Sequence, residues 1–278
     1  MTLISSDRPV VLVGAGKMGG AMLSGWLDGT ASSHFAVIDP KPSDDMVGLC
    51  DAKGVSLSSS IYQELTPSVV IVAVKPQMMK AVLPSLSPFA QSNPVFVSVA
   101  AGISTAGFEH AFGASAAIVR AMPNTPAQVG RGITIGYANG LVSAEQKEAV
   151  ADLLSVTGAF GWVDSEDLID AVTAVSGSGP AYVFYMVEAL AEAGVKVGLA
   201  PDMAMTLARA TVEGAGELLH QSDLDASQLR KNVTSPGGTT AAALEVLMAK
   251  GKGLEALMCE AAEAAKKRAE ELGKEDDS

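Results

Sequence analysis

A short apolar run leads straight into a glycine-rich turn, and this order constrains the fold more than any other feature of the chain. Val10–Val13 reads as a buried strand, and Ala21–Leu27 has helical character. The turn between them has the spacing G-x-G-x-x-G, in which the glycines allow a tight turn, close approach of a pyrophosphate and packing of the helix on the strand. The sequence therefore predicts a dinucleotide-binding βα unit with cofactor contacts at Gly14, Ala15, Gly16, Lys17, Met18 and Gly19.

An acidic residue stands where such a site contacts the adenosine ribose. The apolar run Phe35–Ile38 predicts a second strand that leads into Asp39, twenty residues after Gly19. A carboxylate there favours the free 2′-hydroxyl of NADH and repels the 2′-phosphate of NADPH, although Lys41 offsets part of the repulsion. We therefore expect NADPH or NADH as cofactor, with Asp39 as a further contact. The alternative is that Asp39 only caps a turn at the end of the strand.

Three further apolar runs predict strands of the same parallel sheet. They are Val69–Val74, Val95–Ala100 and Ile118–Met122. Ligands bind at the carboxyl ends of the strands in such a sheet, so residues at these ends are expected to border the cofactor. The residues concerned are Ala73, Val74, Lys75, Pro76, Ala100 and Ala101. Lys75 either reaches a phosphate or a carboxylate of a ligand or remains a solvated loop residue.

The pattern changes from strands to long helical segments after Trp162-Val163. We predict an α/β N-terminal Rossmann-like domain with a parallel sheet over residues 1–163, followed by an all-α C-terminal domain over residues 164–278. Helices with glycine and alanine at packing positions and little charge favour a dimerisation platform. A self-contained helical bundle is the alternative.

A second glycine-containing turn lies near the end of the chain, in the segment Ser235-Pro236-Gly237-Gly238-Thr239-Thr240. Proline fixes one backbone dihedral and glycine frees the next residues, so the N–H groups of Gly238, Thr239 and Thr240 can converge ahead of the alanine-rich run that follows. A helix N-terminus with unpaired N–H groups binds a carboxylate or a phosphate. The alternative is a turn followed by an ordinary helix cap.

Composition limits the partners that the chain can have. Its 19 Lys and Arg residues against 31 Asp and Glu residues give a net charge of −12, which argues against nucleic acid or an anionic membrane as a partner. Cys50 and Cys259 are the only cysteines, and the three histidines lack metal-ligand spacing, so we expect no disulfide framework and no metal site. Because no basic leader precedes Val10 and no apolar run reaches the length of about 18 residues that spans a membrane, we expect a cytoplasmic protein.

Five segments together resemble one family, the pyrroline-5-carboxylate reductases. The three main ones are Val10–Gly20, Ala174–Tyr182 and Val233–Thr240, and the two shorter ones are Ala73–Pro76 and Met122–Pro126. The glycine-rich turn is shared with many reductases, whereas the motif that ends at Thr240 is specific. The resemblance extends over nearly the whole chain.

The resemblance implies reduction of L-1-pyrroline-5-carboxylate to L-proline, the last step of proline biosynthesis, with NADPH or NADH. It also implies a helical domain that interlocks in a homodimer, and the assembly is either this homodimer or a pentamer of dimers. Thr240 matches the family's threonine that hydrogen-bonds the ring nitrogen, so it is the expected catalytic residue. The substrate-binding residues implied by the same match are Ser235, Gly237, Gly238, Thr239 and Thr240.

Two other functions are alternatives for a chain with this pattern. The β-hydroxyacid dehydrogenases share a Rossmann domain followed by helices, but the catalytic lysine and asparagine of their interdomain helix fall here on Val183 and Val187, which excludes that class. A dinucleotide-binding redox sensor without catalysis is the second alternative. The intact segment from Ser235 to Thr240 argues against it.

Overall fold

The structure, a computed structural model, describes residues 3–61 and 65–276. The strands are β1 (Val10–Val13), β2 (Phe35–Ile38), β3 (Ser56–Ser58), β4 (Val69–Val72), β5 (Val95–Ser98), β6 (Ala117–Met122), β7 (Gly132–Ala138) and β8 (Gly158–Trp162). The helices are α1 (Lys17–Leu27), α2 (Asp44–Lys53), α3 (Met79–Val82), α4 (Thr105–Phe112), α5 (Ala144–Ser155), α6 (Leu168–Val172), α7 (Gly179–Lys196), α8 (Pro201–Gln221), α9 (Ala226–Asn232), α10 (Thr239–Leu247) and α11 (Leu254–Asp276). Short 3-10 helices include Pro76–Met78, and a π-helical turn covers Thr173–Gly177.

The strands form one sheet in the order β3-β2-β1-β4-β5-β6-β7-β8. β1 to β6 are parallel, and their order is that of a dinucleotide-binding Rossmann fold, as predicted. β7 instead runs antiparallel to β6, which the sequence analysis did not predict. The physical reason is the connection between them, residues 123–131, because a parallel return needs a crossover of about a dozen residues or more.

β1 lies inside the sheet between β2 and β4, and it is buried on both faces. Val10 and Leu12 belong to one apolar cluster, whereas Val11 and Val13 belong to the other. Successive side chains of a strand point to opposite faces, so an unbroken apolar run is what a strand covered on both sides requires. On one face the indole N–H of Trp26 donates to the carbonyl of Leu153 at 2.7 Å, which joins α1 to the end of α5.

The chain packs as two compact units. One contains the residues up to Ser178 together with the end of α11 from Ala265, and the other contains Gly179–Ala264. These units differ from the predicted boundary between residues 163 and 164, because α6 packs against β6 and β7 and because Ala269 of α11 is buried in the first unit. The division into a cofactor domain and a substrate domain at residue 163 stays a prediction.

The second unit is all-helical, as predicted, and it buries little of its own apolar surface. α7 and α8 meet through small residues, since a Cβ added to Gly194 would lie 3.0 Å from the Cβ of Ala204. Phe184 and Tyr185 on α7 remain 63% and 69% exposed. An apolar face this open is typical of a protein interface and disfavours a self-contained bundle. No helix among residues 3–61 and 65–276 is long and apolar enough to cross a membrane.

Two helical glycines allow a matched test of the packing of α1. A Cβ at Gly19 would collide with the carbonyl oxygen of Gly14 and lie 3.4 Å from Leu12, whereas a Cβ at Gly48 in α2 would meet nothing within 4 Å. We expect Gly19→Ala to lower the free energy of unfolding by about 1–3 kcal/mol through overpacking. Gly48→Ala should raise it by about 0.5–1 kcal/mol, because alanine loses less backbone entropy in a helix. Urea denaturation of both variants measures the difference, and equal effects would contradict the close contact.

Candidate functional site

The sheet register brings the predicted cofactor residues to one edge. Val13 pairs with Ile38 on one side and with Val72 on the other, and Val72 pairs with Ser98. β1, β2, β4 and β5 therefore end at the same level, and the residues that follow them lie along one edge of the sheet. Strand order reverses direction between β1 and β4, and a crevice opens at such a point at the carboxyl ends of the strands.

The turn after β1 needs glycine at its first position. Gly14 has a φ of +88°, and its N–H donates to the carbonyl of Ile38 at 2.9 Å. A Cβ at this position would lie 2.8 Å from Val74 Cγ1 and 3.0 Å from the carbonyl oxygen of Ala73. Both the backbone conformation and the space therefore exclude a side chain. The turn packs directly against Ala73 and Val74, which follow β4. Contact of these two residues with a cofactor stays a prediction.

The start of α1 is open to an anion. Gly16 is the N-cap residue, and neither a side-chain cap nor an acidic residue in the first turn occupies this helix end among the described residues. A Cβ at Gly16 would meet nothing within 4 Å, so the space beside the backbone is free. The first N–H groups of a helix lack intrahelical partners and favour negative charge. The Gly14–Gly19 turn therefore fits the pyrophosphate of a dinucleotide, with Lys17 exposed and Met18 half-buried beside it.

Asp39 holds the same turn. Its Oδ2 accepts the N–H of Ala15 at 2.8 Å, and its Oδ1 accepts the N–H of Lys41 at 2.8 Å. The turn-capping role considered in the sequence analysis is therefore present. Each carboxylate oxygen can accept a second hydrogen bond, so the capping role leaves room for a contact with a ribose hydroxyl. That contact stays a prediction.

The remaining predicted cofactor residues follow β4 and β5. Lys75 is exposed and directly precedes the 3-10 helix that begins at Pro76. Ala100 is 6% exposed, and its N–H donates to the hydroxyl of Ser98 at 3.3 Å, which folds the chain tightly after β5. Ala101 is half-buried next to it. Contact of these residues with a cofactor stays a prediction, as does the role of Lys75.

The Ser235–Thr240 loop lies in the second unit and leads into α10. Gly237 has a φ of +69°, and the N–H of Gly238 donates to the carbonyl of Ser235 at 3.1 Å. Gly238 is the N-cap of α10, and no side chain of the described residues caps this helix, so neither Thr239 nor Thr240 is the cap. A Cβ at Gly238 would lie 2.5 Å from Ser235 Oγ, so the Ser235 side chain packs closely against this residue.

This geometry corrects one part of the predicted carboxylate site. The N–H of Gly238 was expected to bind the carboxylate, but the turn already uses it in the bond to Ser235. The amides of Thr239 and Thr240 stand in the first turn of α10, where helical N–H groups lack partners within the helix. The role of these two amides stays a prediction, and Gly238 shapes the loop.

The structure also shows a polar cluster that the sequence analysis missed. Arg120 on β6 is only 5% exposed and contacts two carboxylates, those of Glu166 and Asp170. The signal was present in the sequence, because Arg120 is the one charged residue in the apolar run Ile118–Met122. Its partners could not be read from spacing, since they lie 46 and 50 residues away along the chain.

Comparison with known proteins identifies two matching families in two parts of the chain. Residues 166–272 match the family described as pyrroline-5-carboxylate reductase dimerisation. Residues 9–102 match the family described as NADP oxidoreductase, coenzyme F420-dependent. The first match indicates a homo-oligomer, which agrees with the open apolar face of α7.

Several proteins of known activity are similar over nearly the full length. The pyrroline-5-carboxylate reductase of Pseudomonas aeruginosa is 38% identical over 97% of this chain and 98% of its own. Among solved structures, the corresponding reductase of Coxiella burnetii has a TM-score of 0.87 at 35% identity and covers 96% of this chain and 98% of its own. The Plasmodium falciparum pyrroline carboxylate reductase, solved with NADP bound, has a TM-score of 0.77 at 30% identity and covers 96% of this chain and 99% of its own.

These similarities agree with the sheet order, the glycine turn after β1 and the helical second half. The chain belongs to the pyrroline-5-carboxylate reductase family.

Proposed function

We propose that this protein reduces L-1-pyrroline-5-carboxylate to L-proline by hydride transfer from NADPH or NADH, the last step of proline biosynthesis. The observation that carries the proposal is the uncapped start of α10 next to the Thr240 side chain. A helix N-terminus that carries a hydroxyl beside its free amides suits a small anionic substrate with a polar ring atom. Membership of the reductase family supports this substrate class.

The substrate would be held at two points. The amides of Thr239 and Thr240 in the first turn of α10 would bind its carboxylate, with the exposed Ser235 beside them. This site explains how a protein with a net charge of −12 can bind an anion, because the local positive potential comes from backbone N–H groups. The Thr240 hydroxyl would bind the ring nitrogen and orient the imine. A hydroxyl is a weak acid, so we expect its main contribution to be positioning.

The cofactor would occupy the carboxyl edge of the sheet. Bound NADPH or NADH supplies the hydride to the imine carbon. The Gly14–Gly19 turn would hold the pyrophosphate at the open start of α1, and Asp39 would face the adenosine ribose. The family match described as NADP oxidoreductase and the relative solved with NADP support NADPH, whereas the carboxylate of Asp39 favours NADH.

We also propose that the second unit joins two copies of the chain, either as a homodimer or as the building block of a pentamer of dimers. Exposed apolar residues on α7, such as Phe184 and Tyr185, support a homodimer, as does the dimerisation family match.

The acidic composition supports the expectation that neither nucleic acid nor a membrane surface is a partner. Cys50 and Cys259, which form no disulfide, are consistent with the proposed cytoplasmic location.

The first prediction concerns Thr240. Thr240→Ala should lower kcat by about 100-fold, because the imine loses the hydroxyl that orients it. Thr240→Ser keeps a hydroxyl and should retain most of the activity. Steady-state kinetics with pyrroline-5-carboxylate measure kcat, and fluorescence titration measures the dinucleotide Kd, which should not change. Thr30→Ala, an exposed threonine after α1, is the control. An equal loss of turnover and of dinucleotide affinity would refute the role of Thr240.

The second prediction concerns cofactor choice. Asp39→Ser removes a carboxylate whose repulsion of a 2′-phosphate amounts to a few kcal/mol at short range, so the ratio of kcat/KM for NADPH over NADH should rise by about 10-fold or more. Asp39→Asn retains an acceptor for the N–H of Ala15 or Lys41 and separates loss of charge from loss of the turn. Kinetics with each cofactor give the ratio. An unchanged ratio in both variants would show that Asp39 does not contact the ribose.

The third prediction concerns assembly. Phe184→Glu places a charge on the exposed apolar face of α7, and burying an unpaired charge opposes association. We expect this variant to elute as a monomer in size-exclusion chromatography with light scattering. Leu141→Glu, at an exposed apolar position in the first unit, is the matched control and should keep the wild-type mass. A Phe184→Glu protein of wild-type mass would exclude this part of α7 from the interface.

A further inference from the structure

A buried ionic cluster joins β6 to α6. Arg120 Nη2 lies 2.7 Å from Asp170 Oδ1, and Arg120 Nη1 lies 3.4 Å from Glu166 Oε1. The side chains of the three residues are 6%, 15% and 24% exposed for Arg120, Asp170 and Glu166 respectively. Arg120 Nε has no hydrogen-bond partner among the described residues. The contacts of this guanidinium with the two carboxylates are therefore made by its two Nη groups.

Thr105 completes the cluster and connects it to α4. The Thr105 N–H donates to Glu166 Oε1 at 2.8 Å, and its hydroxyl donates to Glu166 Oε2 at 2.5 Å. Thr105 is the first residue of α4, where the helix dipole favours a negative charge. The single positive charge of one guanidinium does not balance the negative charges of two carboxylates. The N–H and hydroxyl of Thr105 therefore help to stabilise the carboxylate of Glu166. The cluster thus ties α6, the start of α4 and β6 together.

α6 is a short helix that these bonds attach to β6. It has five residues, of which Ile169 alone is buried. A helix of this length is not stable in isolation, because nucleation fixes several residues for few hydrogen bonds. Asp170 lies within α6 and Glu166 lies two residues before it, so Arg120 anchors both the helix and its entry. A bond of 2.7 Å between charged groups is strong and directional.

The π-helical turn Thr173–Gly177 follows α6 without a break. The N–H of Ser178 donates to the carbonyl of Thr173 at 2.8 Å, and the hydroxyl of Thr173 donates to the carbonyl of Ile169 at 2.8 Å. Isolated π turns are rare and occur frequently at functional sites. Because the turn is continuous with α6, any shift of α6 moves it.

This turn reaches the carboxyl edge of the sheet. A Cβ on Gly177 would collide with the side chain of Met122, the last residue of β6. β6 is parallel to β1 and β4, so its end lies at the same edge as the glycine turn that follows β1. The backbone of residues 176–178 therefore stands at the edge where the proposed function places hydride transfer.

We propose that Arg120 is a positioning residue for the reaction. Through Asp170 and Glu166 it fixes α6, and α6 in turn holds residues 176–178 over Met122 at the edge of the sheet. The inference rests on the proposed function, since it assigns the reaction to this edge. A buried ion pair often adds little net stability compared with apolar side chains. Its directional bonds instead select one position for a helix too short to position itself.

Two variants and one control test the proposal. Arg120→Lys keeps the charge but loses the forked geometry that reaches both carboxylates. Asp170→Asn keeps the shape and an acceptor oxygen, so we expect it to fold even if Arg120→Lys does not. Glu270→Gln removes the exposed ion pair between Glu270 and Lys266, 3.3 Å long, and serves as the matched control. For each protein, kcat and KM, the dinucleotide Kd, and amide hydrogen exchange of peptides spanning residues 168–178 are measured.

We expect Arg120→Lys to lower kcat by about 10- to 100-fold, the loss that displacement of about 1 Å can cause. Asp170→Asn should show a smaller loss in the same direction. Exchange at residues 168–178 should accelerate in both variants, while the dinucleotide Kd stays within about two-fold because the turn after β1 is untouched. Glu270→Gln should match the wild type in every measurement.

Each alternative outcome decides a different point. Wild-type kcat in either folded variant, or unchanged exchange at residues 168–178, overturns the positioning role. A dinucleotide Kd that weakens in proportion to kcat also overturns it, because the cluster would then act on cofactor binding. A wild-type protein without reductase activity refutes the proposed function, and the exchange data still decide whether Arg120 positions the turn.

Discussion

The close approach of the β1 turn to β4 is the contact on which the rest of the cofactor edge depends. Gly14 adopts a φ of +88° with Val74 and Ala73 packed against the place where a side chain would stand. The same glycine presents its carbonyl to Gly19, so α1 can lie directly on the sheet. A residue with a Cβ at either position would move α1 away from β1. The start of α1, where we propose that the pyrophosphate binds, would move with it.

α1 in the first unit and α10 in the second unit have the same kind of N-terminus. α1 and α10 each have glycine as the N-cap, and among the described residues neither helix has a side-chain cap or an acid in its first turn. Glycine cannot satisfy the first N–H groups with a side chain, so they remain available to a ligand. In a protein with a net charge of −12, these backbone groups would provide the local positive potential for the anionic ligands that we propose.

Charged side chains of the first unit have a different role, because they hold turns and helices in place. Asp39 accepts two backbone N–H groups and so closes the turn, and Glu166 accepts the N–H and hydroxyl of Thr105 at the start of α4. Arg120 connects Glu166 and Asp170 to the sheet. Buried charges are tolerated only where partners compensate the loss of water, so each of these carboxylates is bound by donors from another part of the chain.

The sequence by itself determined the features that depend on neighbouring residues. The apolar run of β1, the glycine spacing after it and the turn that precedes Thr240 are local patterns, and the sheet order and helical second half agree with the fold predicted from them. Only the tertiary structure decided that β7 runs antiparallel, that the N–H of Gly238 is used within its own turn, and that Arg120 meets carboxylates 46 and 50 residues away. Short-range spacing encodes turns and periodicity, whereas the partner of a buried charge depends on which distant segments pack together when the chain closes.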